Sequence, residues 1–197
     1  PVDVYEKDDF ILTPEAVEKA ITPRTKVLML NSPCNPTGGV ISEDAMKKLA
    51  QLAVRHDLFV ISDEVYRHIL FDGIAYHTIA AEPGMQERTL IVDSCSKTFA
   101  MTGWRLGYTA APKEISKAIQ TIQDHTTSNA CTFAQYGGIA ALKGDQSFIS
   151  DMRDEYDMRR QYVYERLKAI PNISVVEPQG AFYFLVDTSK IGLTSLN

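Results

Sequence analysis

The sequence has few cysteines and no long apolar run, and both absences narrow the classes of protein to which it can belong. Its 197 residues include three cysteines, Cys34, Cys95 and Cys131, and none of them lies in a Cys-x-x-Cys pair. This pattern argues against a secreted disulfide scaffold and a zinc site, and makes a cytoplasmic location the default expectation. No stretch reaches the roughly 18 apolar residues of a membrane-spanning helix, so we expect no membrane partner.

An excess of positive charge is also lacking. The chain has 20 lysines and arginines against 25 acidic residues, a net charge of -5, and no basic patch stands out. We therefore expect no nucleic-acid partner. The four histidines are scattered without the spacing of metal ligands, and no metal is predicted. What the sequence does have is 45% hydrophobic residues, enough for the core of a globular domain.

Short apolar runs alternate with helical patterns in the first part of the chain. Thr13 and Ser42 are predicted to cap the start of two helices, because each precedes acidic residues and an apolar stripe. Strands are predicted at residues 27–30, 58–61, 90–92 and 106–110. Continuously apolar strands separated by helices predict an α/β fold with a mainly parallel sheet and flanking helices.

The pattern changes after residue 113, where helical segments dominate. Gly137, Gly138 and Gly144 are predicted to interrupt them, and a long charged helix is predicted from residue 146 to about 169. Strands at residues 174–176 and 182–186 would follow. This change predicts two units, residues 1–145 and residues 146–197, the second being the truncated start of an α+β domain.

Polar side chains follow three of the predicted strands. The first strand is followed by Asn35, the second by Asp63 and Tyr66, and the third by Ser94 and Lys97. The carboxyl ends of parallel strands meet at one edge of a sheet, where ligands of α/β proteins bind. The sequence alone therefore predicts a small-molecule site with an amide, a carboxylate, a phenol, hydroxyls and a lysine.

The same segments resemble the fold-type I enzymes that depend on pyridoxal 5'-phosphate (PLP), in particular the class I/II aminotransferases. The matching stretches are NPTG at residues 35–38, SDEVY at residues 62–66 and SCSKTFAMTGWRLGY at residues 94–108. The stretch GAFYF at residues 180–184 looks like the first small-domain strand of this family. The resemblance implies that residues 1–145 are part of the PLP-binding large domain and residues 146–197 the start of the small domain.

The resemblance also implies a role for each site residue. Lys97 would form a Schiff base with the cofactor and then act as the general acid and base. Asp63 would pair with the pyridine nitrogen, and Tyr66 and Asn35 would contact the cofactor's 3' oxygen. Ser94, Ser96 and Arg105 would hold the phosphate, for which arginine offers a planar fork of donors.

Other parts of the family's site have no counterpart in this sequence. They are the glycine-rich phosphate turn, the aromatic residue that stacks on the ring, and the arginine that binds the substrate carboxylate. We therefore expect this segment alone to bind PLP weakly and to have little or no activity.

The function implied by the resemblance is ping-pong transamination between an amino acid, aspartate-like or aromatic, and a 2-oxo acid, in a homodimer. Two alternatives stay open on the sequence alone. One is a PLP-dependent C–S β-lyase, which uses the same motifs. The other is the PLP-sensing domain of a transcriptional regulator, which would carry a DNA-binding domain upstream.

Overall fold

The computed structural model describes residues 1–192 of the chain. Its α-helices are α1 (Pro14–Ala20), α2 (Glu43–Arg55), α3 (Cys95–Thr98), α4 (Lys113–Thr126), α5 (Thr132–Lys143) and α6 (Ser147–Lys168). Its strands are β1 (Val27–Asn31), β2 (Phe59–Asp63), β3 (Thr89–Ser94), β4 (Gly107–Ala110), β5 (Ser174–Val175) and β6 (Val186–Asp187). Residues 193–197 of the predicted second unit lie outside the described residues.

The main sheet contains β1, β2, β3 and β4 in that order. β1 is parallel to β2 and β2 is parallel to β3, which confirms the predicted mainly parallel sheet. β4 runs antiparallel to β3, with Gly107 opposite Ser94. A parallel partner would need a crossover of a dozen or more residues, usually through a full helix. The connection, residues 95–106, holds the four-residue α3 and a 3-10 helix at Thr102–Trp104, and neither is a full crossover helix, so the chain turns back beside β3.

Two predicted helix starts have the expected capping geometry. The Thr13 hydroxyl accepts a hydrogen bond from the Ala16 backbone N–H before α1, and the Ser42 hydroxyl accepts one from Ala45 before α2. Both helices cover one face of the sheet, where buried apolar side chains form the core. This core includes Val17, Leu28, Leu30, Met46, Leu49, Leu52, Val60 and Ile79.

The opposite face of β1 is open. Successive side chains of a strand point to opposite faces, so Val27 and Met29 lie opposite the buried Leu28 and Leu30. Val27 is 48% exposed and Met29 is 68% exposed. The described residues therefore cover one side of this strand and leave the other free.

The prediction that Gly137 and Gly138 interrupt a helix was wrong, because both lie inside α5. A Cβ atom on Gly138 would lie 2.4 Å from the Leu106 Cδ2 atom. The glycine thus lets α5 approach Leu106 closely, and packing outweighs the low helix propensity of glycine.

The long helix predicted near residue 146 is present as α6, but the strand predicted at residues 182–186 is not. Only Val186–Asp187 is a strand, paired with Ser174–Val175. Upstream of β6, the Ala181 backbone N–H donates to the Ile69 carbonyl at 2.9 Å. This segment therefore bonds to the loop after β2 rather than to a neighbouring strand.

Candidate functional site

The three parallel strands end at one edge of the sheet. Asn31 at the end of β1 pairs with Asp63 at the end of β2, and Asp63 pairs with Val92 near the end of β3. The segments that follow these strands contain Asn35, Tyr66 and Lys97, so they begin at the same edge. The continuous hydrogen-bonded register of the strands is what brings these distant parts of the chain together.

Tyr66 lies at the centre of this group. Its side chain is buried, and its hydroxyl oxygen lies 2.6 Å from the hydroxyl oxygen of Tyr183. Burial first, and then the hydrogen bond with Tyr183, raise the pKa of Tyr66 above its usual range, while a hydrogen bond from Asn35 acts in the opposite direction. The phenol therefore keeps its proton at neutral pH and can act as a donor.

Lys97 lies in α3, directly after β3, and is half-buried. Its Nζ atom lies 5.8 Å from the centre of the Tyr66 ring and 5.4 Å from the centre of the Phe182 ring. No carboxylate of residues 1–192 lies within 4.0 Å of this nitrogen. The amine thus lies beside two aromatic rings and forms no ion pair with the residues that the structure describes.

Asp63 is half-buried at the end of β2, where its Oδ1 atom accepts a hydrogen bond from the Val65 backbone N–H at 3.3 Å. Burial is the largest cause that raises the pKa of Asp63, the Val65 hydrogen bond opposes it, and the negative charge of Asp93 raises it further. A cationic partner would stabilise the ionised form of this carboxylate, because a positive charge offsets the cost of its desolvation.

Asp93 is a buried acid at this edge, and it was not predicted from the sequence as a site residue. Its carboxylate accepts hydrogen bonds from the Tyr108 hydroxyl at 2.8 Å and from the Ser94 backbone N–H at 2.6 Å. The Arg67 Nε atom lies 2.8 Å from the Asp93 Oδ2 atom. Since Arg67 follows Tyr66 and Asp93 precedes Ser94, this ion pair ties together the two segments that carry Tyr66 and Lys97.

The three residues predicted to bind phosphate lie around the start of α3. They are Ser94, Ser96 and Arg105. The Ser94 hydroxyl caps α3 by accepting a hydrogen bond from the Ser96 backbone N–H at 3.2 Å. The Cys95 backbone N–H donates to the Leu106 carbonyl at 3.1 Å, which brings Arg105 to the start of α3. Arg105 is exposed, and its Nη1 atom donates to the Thr102 carbonyl at 3.0 Å. The remaining guanidinium donors can serve an anion.

Glu64, the neighbour of Asp63, points away from this group. It is buried and accepts hydrogen bonds from the Ser62 hydroxyl at 3.0 Å and from the Thr78 hydroxyl at 2.5 Å. Adjacent strand residues point to opposite faces, so the two acids do not form a catalytic pair. Glu64 instead anchors the loop that follows β2.

Two aromatic residues join the site from far along the chain. Phe182 and Tyr183 both pack edge-on against Tyr66, with ring centres 5.4 and 5.7 Å apart. Tyr156 of α6 stacks on Phe182 at 5.1 Å. The family-like GAFYF stretch contains these residues, but no sequence signal indicates a contact over 117 positions.

Other kinds of site find no support within residues 1–192. No group of three or more metal-ligating side chains occurs there. No helix in that range is long and apolar enough to cross a membrane.

Known proteins resemble this chain over nearly its whole length. The family described as "Aminotransferase class I and II" matches residues 1–194. An aspartate aminotransferase of Pyrococcus abyssi is 44% identical over 99% of this chain and 51% of its own length. An aspartate/prephenate aminotransferase of Thermus thermophilus is 42% identical over 96% of this chain and 49% of its own length.

A solved structure gives the same result. The crystal structure of an aromatic aminotransferase from Pyrococcus horikoshii matches with a TM-score of 0.95 at 44% identity, covering 99% of this chain and 52% of that protein. The chain thus spans about half the length of the relatives it matches.

Proposed function

Because this chain belongs to the class I and II aminotransferases, a PLP-dependent family, we propose that the complete protein is an amino acid:2-oxo acid aminotransferase. The observation that carries the proposal is the edge at which the parallel strands deliver Asn35, Asp63, Tyr66 and Lys97. The names of the relatives, aspartate, aromatic and aspartate/prephenate aminotransferases, favour an aspartate-like or aromatic amino donor.

The donor set at this edge fits PLP. The cofactor offers an aldehyde, a ring nitrogen, a ring oxygen and a phosphate, and the edge offers an amine, a carboxylate, a phenol with an amide, and hydroxyls with a guanidinium. When bound, PLP supplies an electron-accepting ring that stabilises the charge left when a bond to the substrate α-carbon breaks. The protein's own residues bind, orient and move protons around it.

Lys97 is the proposed catalytic residue. Its amine would hold the cofactor covalently in the resting enzyme and, once released by substrate, would carry the proton to and from the substrate α-carbon. The position of Nζ beside the Tyr66 and Phe182 rings, free of any carboxylate within residues 1–192, supports this role. A lysine locked in an ion pair would be a poor base.

Asp63 and Tyr66, the other two proposed catalytic residues, would orient the ring of the cofactor together with Asn35. The Asp63 carboxylate would pair with the protonated ring nitrogen and so keep the ring cationic. Tyr66 would donate to the 3' oxygen, with the Asn35 amide beside it. The retained proton of Tyr66 and the contact between Asn35 and Tyr66 support this assignment.

Ser94, Ser96 and Arg105 would bind the phosphate. Two hydroxyls and a guanidinium fork are suited to phosphate oxygens, and their grouping at the start of α3 supports the role. A homodimer is proposed on the same resemblance. The division at residue 145/146 is proposed on the change of pattern along the chain, and a cytoplasmic location on the cysteine content.

The PLP-dependent β-lyase and the PLP-sensing regulator are less favoured, because the relatives are named aminotransferases. An assay of the complete protein separates the three. Transfer of the amino group from aspartate or phenylalanine to 2-oxoglutarate is expected. Release of pyruvate and a thiol from a cysteine conjugate would indicate the lyase, and no turnover of either kind would indicate the regulator.

The assignment of Lys97 is tested by borohydride reduction of the complete protein with PLP, followed by peptide mass mapping. We expect the label on the peptide that contains Lys97. Lys97→Ala should abolish the visible band of the bound cofactor and lower kcat by about 10²–10⁴-fold or more while leaving the far-UV spectrum unchanged. Lys117→Ala, an exposed lysine of α4, is the control. A label on any other lysine would overturn the assignment.

A further inference from the structure

Tyr183 makes a contact that the proposed roles leave unexplained. Its hydroxyl oxygen lies 2.6 Å from that of Tyr66, and the two rings meet edge to face at 84°. The segment that carries Tyr183 is fixed in place, because the Ala181 N–H donates to the Ile69 carbonyl and the Gly180 N–H donates to the Gly38 carbonyl at 3.0 Å. The contact thus joins two well-held parts of the chain.

The contact with Tyr183 limits the hydrogen bonds that the Tyr66 hydroxyl can form. A phenol oxygen has one proton to donate and can accept two hydrogen bonds. Two side chains act on the Tyr66 hydroxyl: that of Tyr183, whose hydroxyl oxygen lies 2.6 Å away, and that of Asn35, whose hydrogen bond lowers the pKa of Tyr66. Either hydroxyl can donate in the contact with Tyr183, and the raised pKa of Tyr66 corresponds to Tyr66 donating to Tyr183 while no ligand is bound. When a ligand takes the Tyr66 proton, Asn35 and Tyr183 can both donate to the Tyr66 oxygen and fill its two acceptor positions.

The aromatic surroundings restrict the alternatives. Tyr66 is 3% exposed, so nearly all of its side-chain surface packs against other residues. Phe182 packs against both tyrosine rings, at 5.4 Å from Tyr66 and 4.8 Å from Tyr183. Neither ring can swing away without breaking this packing, which holds the two hydroxyl groups together.

We propose that Tyr183 is a positioning residue that donates its hydroxyl proton to the Tyr66 oxygen and thereby directs the Tyr66 proton to the 3' oxygen of the cofactor. This inference rests on the proposed function, because it needs PLP beside Tyr66. It adds a residue from beyond α6 to the group that controls the cofactor. Hydrogen bonds in a chain polarise one another, so a donor behind Tyr66 also makes Tyr66 a stronger donor.

The consequence is a shift in the titration of the linkage between Lys97 and the cofactor. A donor to the ring oxygen withdraws electron density from it, which weakens its hold on the proton that it shares with the linkage nitrogen. Removing the Tyr183 hydroxyl should weaken that donor and raise the apparent pKa of the linkage by about half a unit to one unit.

The experiment is a pH titration of the visible absorbance of the complete protein with bound PLP. Tyr183→Phe keeps the ring and its packing and removes only the hydroxyl, so its thermal midpoint should stay close to that of the parent. Tyr162→Phe is the matched control, because Tyr162 lies on the surface of α6 with 60% of its area exposed. Tyr66→Phe and the double variant complete a cycle.

The upward shift should occur in Tyr183→Phe, be absent in Tyr162→Phe and vanish when Tyr66 is already phenylalanine. The affinity for PLP, measured by equilibrium dialysis, should fall about threefold or more in Tyr183→Phe. This loss of affinity should also vanish when Tyr66 is already phenylalanine. A titration of Tyr183→Phe that matches the parent would overturn the inference. So would a shift of the same size in the Tyr66→Phe background.

The failure of this inference can be told from the failure of the proposed function. If the parent protein shows no cofactor band, or if borohydride labels a lysine other than Lys97, the proposed function is wrong. If the parent shows the band and the Lys97 label but Tyr183→Phe titrates like the parent, only the role of Tyr183 is wrong.

Discussion

Single buried charges set the electrostatics of the candidate site. Asp93 is 3% exposed, accepts hydrogen bonds from Tyr108 and Ser94, and forms an ion pair with Arg67, so its negative charge is compensated. It nevertheless acts on Asp63, whose pKa is raised by burial first and further by the charge of Asp93. Asp93 therefore modulates the group proposed to pair with the cofactor.

Asp93→Asn should lower the pKa of Asp63, because the substitution removes a like charge and leaves Arg67 uncompensated nearby. Ionised Asp63 then persists to lower pH, so the acid limb of the pH profile of kcat/KM in the complete protein should move to lower pH. Asp151→Asn, an exposed site on α6, should leave the profile unchanged. An acid limb that stays in place or moves to higher pH would contradict the coupling.

At the scale of elements, one buried arginine of α6 binds both the loop after β2 and the segment that precedes Phe182. Arg160 is 5% exposed and is the buried residue of this helix. Its guanidinium donates to both oxygens of Asp72 at 2.8 and 2.9 Å and to the Pro178 carbonyl at 3.0 Å. Its plane also lies over the Phe71 ring at 4.7 Å. This contact fixes the segment that delivers Phe182 and Tyr183 to the site.

Arg160→Met should destabilise the protein by about 1.5–3 kcal/mol, the range for losing hydrogen bonds to a charged group, because the Asp72 carboxylate is 58% exposed and can be hydrated once the arginine is gone. Arg159→Met on the same helix removes only an exposed pair with Glu155 and should cost about 0.3–0.5 kcal/mol. Urea denaturation of both variants measures the difference. Equal losses would show that Arg160 is not the anchor.

At the scale of the whole molecule, much of the sheet is left uncovered by the described residues. Every residue of β4 is exposed, and so are Val27 and Met29 on one face of β1. Arg105, proposed for the phosphate, is exposed as well. A site with one open side holds an anion less tightly, because water competes for the same donors.

The isolated 197-residue chain should therefore bind PLP more weakly than the complete protein and turn over little substrate. Equilibrium dialysis of both proteins with PLP gives the affinities, and an assay with aspartate and 2-oxoglutarate gives the turnover. We expect at least about a tenfold difference in affinity, as for the loss of supporting groups around a bound cofactor. Turnover by the isolated chain at the rate of the complete protein would disprove this expectation.

Local patterns were sufficient for most of the helices and strands. The caps at Thr13 and Ser42, the apolar runs of β1, β2 and β3, and the charged length of α6 are each signalled by neighbouring residues. The wrong predictions concern long-range packing. Gly138 lies within α5 because Leu106 packs against it, and residues 182–185 are not a strand because the adjoining Ala181 bonds to Ile69.

The sequence by itself determined the mainly parallel sheet and the edge at which the site residues lie, namely Asn35, Asp63, Tyr66 and Lys97. Strand ends and motifs depend on residues that are adjacent in the sequence, so local patterns are enough to predict them. Only the tertiary structure revealed Asp93 and Tyr183 as their companions. Asp93 gains its importance from Arg67 and Tyr108 on adjoining segments, and Tyr183 reaches Tyr66 across 117 positions. Such contacts depend on how helices and loops pack in space, which no local pattern encodes.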